Sequence, residues 1–300
     1  MANPLKAIPS SFGIRNAKNL LLPAKGYNYF EASDRFPFNP SAEGHSRINA
    51  WWLAEYALLA YESQKNIEAN LKKALPFDLS SITWIDNHST GLDGFGIQGK
   101  DKDFAILSFR GTEFYPPEEI LKDIGKLVTV GQDFIQDSKL WTETFEGSPR
   151  FEVPVVKGFY QALESDWPKI KSWIESLPQT RSLWLTGHSL GAAIALMLAY
   201  QYPARVAGVY TFGCPCPGKQ GFANAFEQLK LNERTFRYVH GNDLIAKGLE
   251  FPLSLYRHVG TPMILEAASR KNLLERGLNW LIGRDTQTTR RYTMRCIAGT

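Results

Sequence analysis

The chain has 300 residues, of which 44% are hydrophobic, and this is enough to bury a sizeable core in one large domain or two small ones. Its net charge is only +4, from 34 basic and 30 acidic residues, and the basic residues are scattered along the chain. This composition argues against nucleic acid as a partner, because nucleic-acid binding needs a concentrated basic surface.

Other features of the sequence argue against membrane, disulfide and cofactor classes. No run approaches the roughly 18 apolar residues of a transmembrane helix, and Pro23 breaks the apolar cluster Leu20–Leu22 that a signal peptide would extend. The three cysteines form no disulfide framework, which fits a reducing compartment. No phosphate-binding glycine motif or paired metal-binding motif occurs, so we expect no cofactor and no metal. The expected location is the cytoplasm, or outside the cell by a route without a cleaved signal peptide.

An irregular lead-in and two helices are predicted first in chain order. Residues 1–44 are rich in Pro, Asn and Ser and predict the lead-in, whereas residues 45–300 predict a single domain. The first helix has apolar residues at helical spacing, at Ile48, Trp52, Tyr56 and Leu59. A second helix follows and is stopped by Pro76.

Strands and helices then alternate. Residues 81–87 predict a strand, and residues 94–112 predict a hairpin with a polar turn at Gly99–Asp103. From residue 151 to residue 243, helical and strand-like segments follow one another. The later strands should be parallel, because a helical crossover joins each pair. The prediction is an α/β fold with a mostly parallel central sheet and helices on both faces.

The most informative motif is Gly187-His188-Ser189-Leu190-Gly191, which lies where an apolar strand turns into a helix. In a nucleophile elbow the serine sits on a strained turn, and the residues two positions away must be small because strand and helix cross closely. The N–H of Leu190, at the positive end of the helix dipole, can serve as an oxyanion donor. The alternative is a glycine-rich turn with a helix-capping serine, but the strand–turn–helix context favours a nucleophile.

Six further segments accompany this motif in order: WLAEYALLAY, ILSFRGT, VVKGFYQAL, TFGCPCPG, FRYVHGNDLI and YRHVGTPMIL. Together with LTGHSLGAAIALMLA they resemble the class 3 lipases, a family of fungal triacylglycerol lipases with plant and bacterial relatives. The similar segments span most of residues 48–265. The resemblance implies an α/β-hydrolase fold and hydrolysis of carboxylic esters, in particular lipid esters such as acylglycerols or phospholipids, without a cofactor.

The resemblance also implies roles for the residues after the ILSF strand. It places Thr112 where the family has its second oxyanion residue, although a plain strand end is the alternative. Arg110 is expected to form a structural ion pair. The family has a lid that opens at a lipid surface, and the resemblance places it at residues 113–130 of this chain. An apolar helical stripe in this segment supports a lid and consists of Ile120, Leu121, Ile124, Leu127 and Val128. An ordinary surface helix is the alternative.

The acid of a hydrolase triad follows the serine along the chain. The aspartates after Ser189 are Asp243 and Asp285. Asp243 ends a predicted strand, on the side where α/β sites gather, and it matches the acid position of the family. Asp285 follows a helical segment and is interpreted as part of a polar turn. Asp243 is therefore the predicted acid.

The base is harder to assign. Of the five histidines only His258 follows Asp243, so chain order selects His258. The resemblance disagrees, because YRHVG matches a family segment whose histidine is structural, and the catalytic histidine of the family lies further on. Three interpretations stay open: a C-terminally truncated chain, a variant that uses His258, or a pseudoenzyme that keeps the fold as a lipid-binding or signalling module.

Overall fold

The computed structural model describes residues 27–31, 33–74, 77–87, 92–100, 104–111, 144–145, 150–240 and 256–265. The helices within these ranges are α1 (Arg47–Leu59), α2 (Gln64–Leu71), α3 (Lys157–Ser176), α4 (Leu190–Gln201) and α5 (Gln220–Gln228). The strands within them are β1 (Phe77–Asn87), β2 (Leu92–Gly99), β3 (Phe104–Phe109), β4 (Thr144–Phe145), β5 (Val155–Val156), β6 (Ser182–His188), β7 (Val206–Phe212), β8 (Gly218–Lys219), β9 (Thr235–His240), β10 (Tyr256–Arg257) and β11 (Thr261–Leu265).

Seven of these strands form the main sheet, in the order β1-β2-β3-β6-β7-β9-β11. The predicted hairpin is formed by β2 and β3, which pair antiparallel, as do β1 and β2. From β3 onwards every neighbouring pair is parallel. The prediction of a mostly parallel sheet is confirmed. The carboxyl edge of the sheet, where β3, β6, β7 and β9 end, is the edge at which α/β proteins place their sites.

Different helices cover the two faces of this sheet. Helix α1 packs over β3, β6 and β7 on one face, and α3 and α4 pack on the other. Neighbouring residues of β3 show the alternation: Ile106 belongs to the core under α1, whereas Leu107 belongs to the core under α3 and α4. Because both faces are buried, the central strands are continuous apolar runs.

The described part of the lead-in, residues 27–31 and 33–44, packs on α1 without regular secondary structure. Phe30 is buried there. The carboxylate of Glu55, on α1, accepts the O–H of Tyr27 at 2.6 Å and the N–H of Phe30 at 3.3 Å. Burial of this carboxylate raises the pKa of Glu55 to about 7. The lead-in is thus tied to α1 through a buried acid.

A smaller sheet, with the order β10-β8-β5-β4, was not predicted from the sequence. Its strands are two residues long, too short for an alternating pattern to be recognised. In this sheet β10 pairs antiparallel with β8, and Arg257 lies opposite Gly218. This pairing fixes part of the connection between β9 and β11.

Candidate active site

Ser189 occupies a strained turn between β6 and α4. Its backbone has φ of +52° and ψ of −121°, a conformation that residues other than glycine rarely adopt and that costs about 1–3 kcal/mol. The N–H of Ser189 donates to the carbonyl of Phe212 at 3.1 Å, which holds the turn at the carboxyl edge. The strand–turn–helix predicted from the motif is therefore present, with the geometry of a nucleophile elbow.

The two glycines of the motif are required by close contacts around the turn. A Cβ on Gly187 would lie 2.8 Å from the backbone nitrogen of Ala192, and a Cβ on Gly191 would lie 2.5 Å from the carbonyl oxygen of Arg110. Both distances are well below the optimal contact separation of about 3.5–4 Å for carbon atoms. The predicted reason for small residues here, a close crossing of strand and helix, is confirmed.

Helix α4 directs its N-terminus at the turn. Leu190 is its first residue, so the Leu190 N–H has no hydrogen-bond partner within the helix. The positive end of the helix dipole lies at the same place and favours negative charge there. Residues 190–199 of the helix are all buried, which explains why its sequence is apolar on every side. The turn and the helix together can bind a developing oxyanion.

The loop that follows β3 lies directly against the turn. A Cβ on Gly111 would lie 2.9 Å from the Cβ of Ser189 and 2.9 Å from the carbonyl oxygen of His188. Arg110 forms the predicted ion pair, with the carboxylate of Asp93, and its N–H donates to the carbonyl of Asp93 at 3.0 Å. Gly111 thus brings the chain to Ser189. Thr112 and the predicted lid in residues 113–130 lie outside the described residues.

His188 is buried beside the turn and contacts a residue that the sequence did not reveal. The Nδ1 of His188 lies 2.8 Å from the Oη of Tyr61, and the same Oη accepts the N–H of Gly111 at 2.8 Å. Burial lowers the pKa of His188 to about 4, so its imidazole is neutral near pH 7. Tyr61 is separated from His188 by 127 positions and from Gly111 by 50, and no local pattern indicates contacts of that range.

The other histidines whose side chains are described form no hydrogen bond with Ser189. The Nε2 of His45 lies 2.8 Å from the Oη of Tyr238, on the face covered by α1. His258 is two residues before Gly260, whose N–H donates to the Oδ1 of Asn232 at 2.6 Å, ahead of β9. Gly260 is therefore attached to the amino edge of the sheet, opposite to the edge that carries Ser189, whereas Arg257, on the other side of His258, pairs with Gly218 in the smaller sheet.

The strand register gives the approximate distance between Gly260 and the turn of Ser189. His188, Phe212, Tyr238 and Met263 lie side by side across β6, β7, β9 and β11. Gly260 precedes Met263 by three residues, about 10 Å towards the amino edge, and it is displaced sideways by three strand spacings, about 14 Å. The chain therefore leaves His258 towards the amino edge, away from Ser189. The assignment of His258 as the base stays a prediction.

The remaining predicted residues lie outside the described ranges. Strand β9 ends at His240, at the carboxyl edge, and Asp243 follows three residues later. Asp285 and His88 are likewise not described. Where the structure is described, no cluster of three or more His, Cys, Asp or Glu side chains could hold a metal ion. In the same part of the chain, no helix is long and apolar enough to cross a bilayer.

Comparison with known proteins agrees with this geometry. Residues 106–250 match the family described as Lipase (class 3). These residues belong to the class 3 lipase family. The class 3 lipase segment contains the turn of Ser189, the loop at Gly111 and the position of Asp243.

Individual relatives of the chain are more distant. Triacylglycerol lipase OBL1 of Arabidopsis thaliana is 25% identical over 241 residues, which are 67% of this chain and 46% of that protein. The chain therefore spans about half the length of this curated relative.

Solved lipase structures share the fold. The lipase of Rhizopus microsporus var. chinensis aligns over 77% of this chain and 81% of its own, with 20% identity and a TM-score of 0.51. A triacylglycerol lipase whose catalytic centre is formed by a serine protease triad aligns over 74% of this chain and 82% of its own, with 17% identity and a TM-score of 0.53. The predicted α/β-hydrolase fold is confirmed.

Proposed function

We propose that this chain is a serine hydrolase that cleaves carboxylic esters through an acyl-enzyme on Ser189. The observation that carries the proposal is the strained turn of Ser189 at the N-terminus of α4, with Gly111 packed against its Cβ. A serine that only capped a helix would need neither the unfavourable φ nor the close approach of a second loop.

In the proposed reaction, the Oγ of Ser189 attacks the ester carbonyl carbon while its proton passes to a base. The carbonyl oxygen becomes an oxyanion, which the N–H groups of Leu190 and Thr112 stabilise. The bond to the alcohol then breaks, and the alcohol leaves with the proton that the base returns. Water attacks the acyl-enzyme by the same sequence and releases a carboxylic acid. Asp243 orients the base and stabilises its protonated form.

Lipid esters are the proposed substrate class. The Arabidopsis relative and one of the structurally similar proteins are triacylglycerol lipases. The apolar stripe within residues 113–130 fits a lid that makes transient contact with a lipid surface. An acylglycerol or phospholipid ester would place its acyl chain under such a lid.

The positions of the histidines favour a second candidate function. His45 and His188 are bonded to tyrosines, and two residues after His258 the chain reaches the amino edge of the sheet at Gly260. None of the histidine side chains that the structure describes forms a hydrogen bond with Ser189. A lipase-fold module that binds lipid or ester ligands without turnover is consistent with this observation.

Burst kinetics with p-nitrophenyl butyrate separate the two functions. The hydrolase releases a burst of p-nitrophenol proportional to the enzyme concentration, and Ser189→Ala abolishes it. The matched control is Ser176→Ala, since this serine ends α3 and bonds the carbonyl of Trp173. It should retain the burst. A wild-type chain that shows no burst, and whose slow hydrolysis is unchanged in Ser189→Ala, contradicts the hydrolase and supports the binding module.

A further inference from the structure

Tyr61 connects the two parts of the site that must hold the oxyanion. Its Oη accepts the N–H of Gly111 at 2.8 Å and lies 2.8 Å from the Nδ1 of His188. The direction of the bond to His188 depends on the tautomer of its neutral imidazole. With the proton on Nε2, the Tyr61 O–H donates to Nδ1, and with the proton on Nδ1 the Oη accepts from it.

The position of Tyr61 is fixed by the docking of α1 on the sheet. The Oγ of Ser108, on β3, donates to the carbonyl of Tyr56 at 3.0 Å. The Oγ1 of Thr186, on β6, donates to the carbonyl of Leu53 at 2.9 Å. Two strand hydroxyls thus hold the helix against β3 and β6. Tyr61 follows the end of this helix by two residues, and its side chain is buried at the elbow.

The Gly111 peptide has little room to move. A Cβ on Gly111 would lie 2.6 Å from the Oη of Tyr61 on one side and 2.9 Å from the Cβ of Ser189 on another. The preceding residue, Arg110, is held to Asp93 by a backbone hydrogen bond and an ion pair. Arg110 and Gly111, the two residues before Thr112, are therefore held by Asp93 and by Tyr61.

We propose that Tyr61 is a positioning residue for ester hydrolysis, which sets the oxyanion loop by bonding the Gly111 N–H and anchors itself on His188 of the nucleophile elbow. This inference rests on the proposed function. Tyr61 does not touch the substrate. It acts through Gly111 on the N–H of Thr112, so its loss should weaken binding of the transition state and leave binding of the ground-state ester nearly unchanged.

The test is Tyr61→Phe, which keeps the ring and removes the Oη. We expect kcat per burst-titrated serine to fall about 10- to 100-fold, with KM within about twofold. The matched control is Tyr210→Phe, because the buried Oη of Tyr210 also accepts a backbone N–H at 2.8 Å, that of Ser46, away from the elbow. Tyr210→Phe should lower the free energy of unfolding by about as much as Tyr61→Phe does and should keep the wild-type kcat.

A second readout does not depend on turnover. A trifluoromethyl ketone forms a tetrahedral oxyanion adduct with the serine, whereas the matching methyl ketone binds mainly as the ground state. Tyr61→Phe should weaken binding of the trifluoromethyl ketone by a factor similar to the loss in kcat. It should leave binding of the methyl ketone unchanged. A role in folding alone would lower the fraction of titratable serine and would leave this ratio of affinities at the wild-type value.

If Tyr61→Phe does not fold, His188 provides an equivalent pair of variants. His188→Asn keeps an acceptor atom on Cγ for the Tyr61 O–H, whereas His188→Leu does not. Asn should retain most of kcat, and Leu should lose it about 10-fold or more. A wild-type kcat in Tyr61→Phe, or equal kcat in the two His188 variants, overturns this inference while the proposed hydrolase stands. A wild-type chain without burst or turnover overturns the hydrolase, and this inference with it.

Discussion

The turn at Ser189 lies at the carboxyl edge of the main sheet, whereas Gly260, two residues after His258, lies at its amino edge. At the turn, three neighbouring segments approach so closely that side chains at Gly111, Gly187 and Gly191 would collide with backbone or buried atoms. Around His258, Arg257 pairs with Gly218 in the smaller sheet, and one hydrogen bond from Gly260 attaches the following residues to the amino edge. The difference teaches that a nucleophile is defined by local backbone geometry, whereas a base is defined by the path of the chain between distant elements.

The largest expected effect concerns Asp243, the predicted acid partner of the Ser189 site. Asp243→Asn should lower kcat about 10³- to 10⁴-fold, because an amide no longer stabilises the protonated base or its tautomer. Asp285→Asn is the control and should keep the wild-type kcat. Steady-state hydrolysis of p-nitrophenyl butyrate checks both. Equal activities in the two variants would remove Asp243 from the site.

His188 predicts a pH dependence of stability that arises at the turn. Its pKa is about 4 in the folded chain and about 6.5 when unfolded, so the unfolded state binds the extra proton between these values. The stabilisation is present above pH 6.5 and is lost as the pH falls through 4, by about 3 kcal/mol. His188→Asn lacks this titration, so the wild type should lose stability relative to the variant over this range.

The quantity to measure is the difference in the free energy of unfolding between the wild type and His188→Asn, obtained by urea unfolding at each pH. Glu55 acts with the opposite sign, because its raised pKa makes the folded chain less stable as the pH increases towards 7. This contribution is common to wild type and variant and cancels in the difference. A difference that stays constant from pH 7 to pH 4 would show that His188 is not buried in its neutral form.

The close crossing at the turn predicts a smaller loss of stability. Gly191→Ala should lower the free energy of unfolding by about 1–3 kcal/mol, because its Cβ meets the carbonyl of Arg110 at 2.5 Å. Gly221→Ala, in α5, is the matched control, since the nearest atom to its Cβ is 3.7 Å away. It should be neutral or slightly stabilising. Similar losses in both variants would mean that the crossing at the turn is looser than described.

The smallest expected effect is that of a substitution at His258. His258→Ala should leave kcat and the burst within about twofold of the wild type, because a base must lie within hydrogen-bond reach of the serine or one water away. Hydrolysis of p-nitrophenyl butyrate by folded protein checks this. A loss comparable to that in Ser189→Ala would place His258 in the triad and would require the segment after β10 to take another course.

The sequence predicted the fold and the tight turn at Ser189 because both leave local patterns. Apolar runs separated by helical crossovers indicated the parallel sheet, and the glycines around Ser189 indicated a tight strand-to-helix turn. Tyr61 could not be predicted, because its contacts join positions 50 and 127 residues apart and depend on how α1 docks. The small sheet escaped detection because its strands are two residues long.

The base was harder to assign from the sequence for a related reason. The order of Asp243 and His258 along the chain contains no information about which edge of the sheet each residue reaches. That information comes from the pairing of β11 with β9, in which Thr261 lies opposite Phe236 near the start of its strand. A sequence motif can therefore predict the turn that carries a candidate nucleophile, whereas the other members of a triad depend on the path of the chain.

Covalent labelling of Ser189 tests the central claim most directly. The full chain is mixed with p-nitrophenyl butyrate, quenched in acid within the burst, digested and examined by mass spectrometry. We predict one butyryl group on the peptide that contains Ser189, absent from Ser189→Ala and present in Ser176→Ala. A wild-type peptide that stays unmodified while p-nitrophenol is released, or a butyryl group on another residue, would contradict the assignment of Ser189 as the nucleophile.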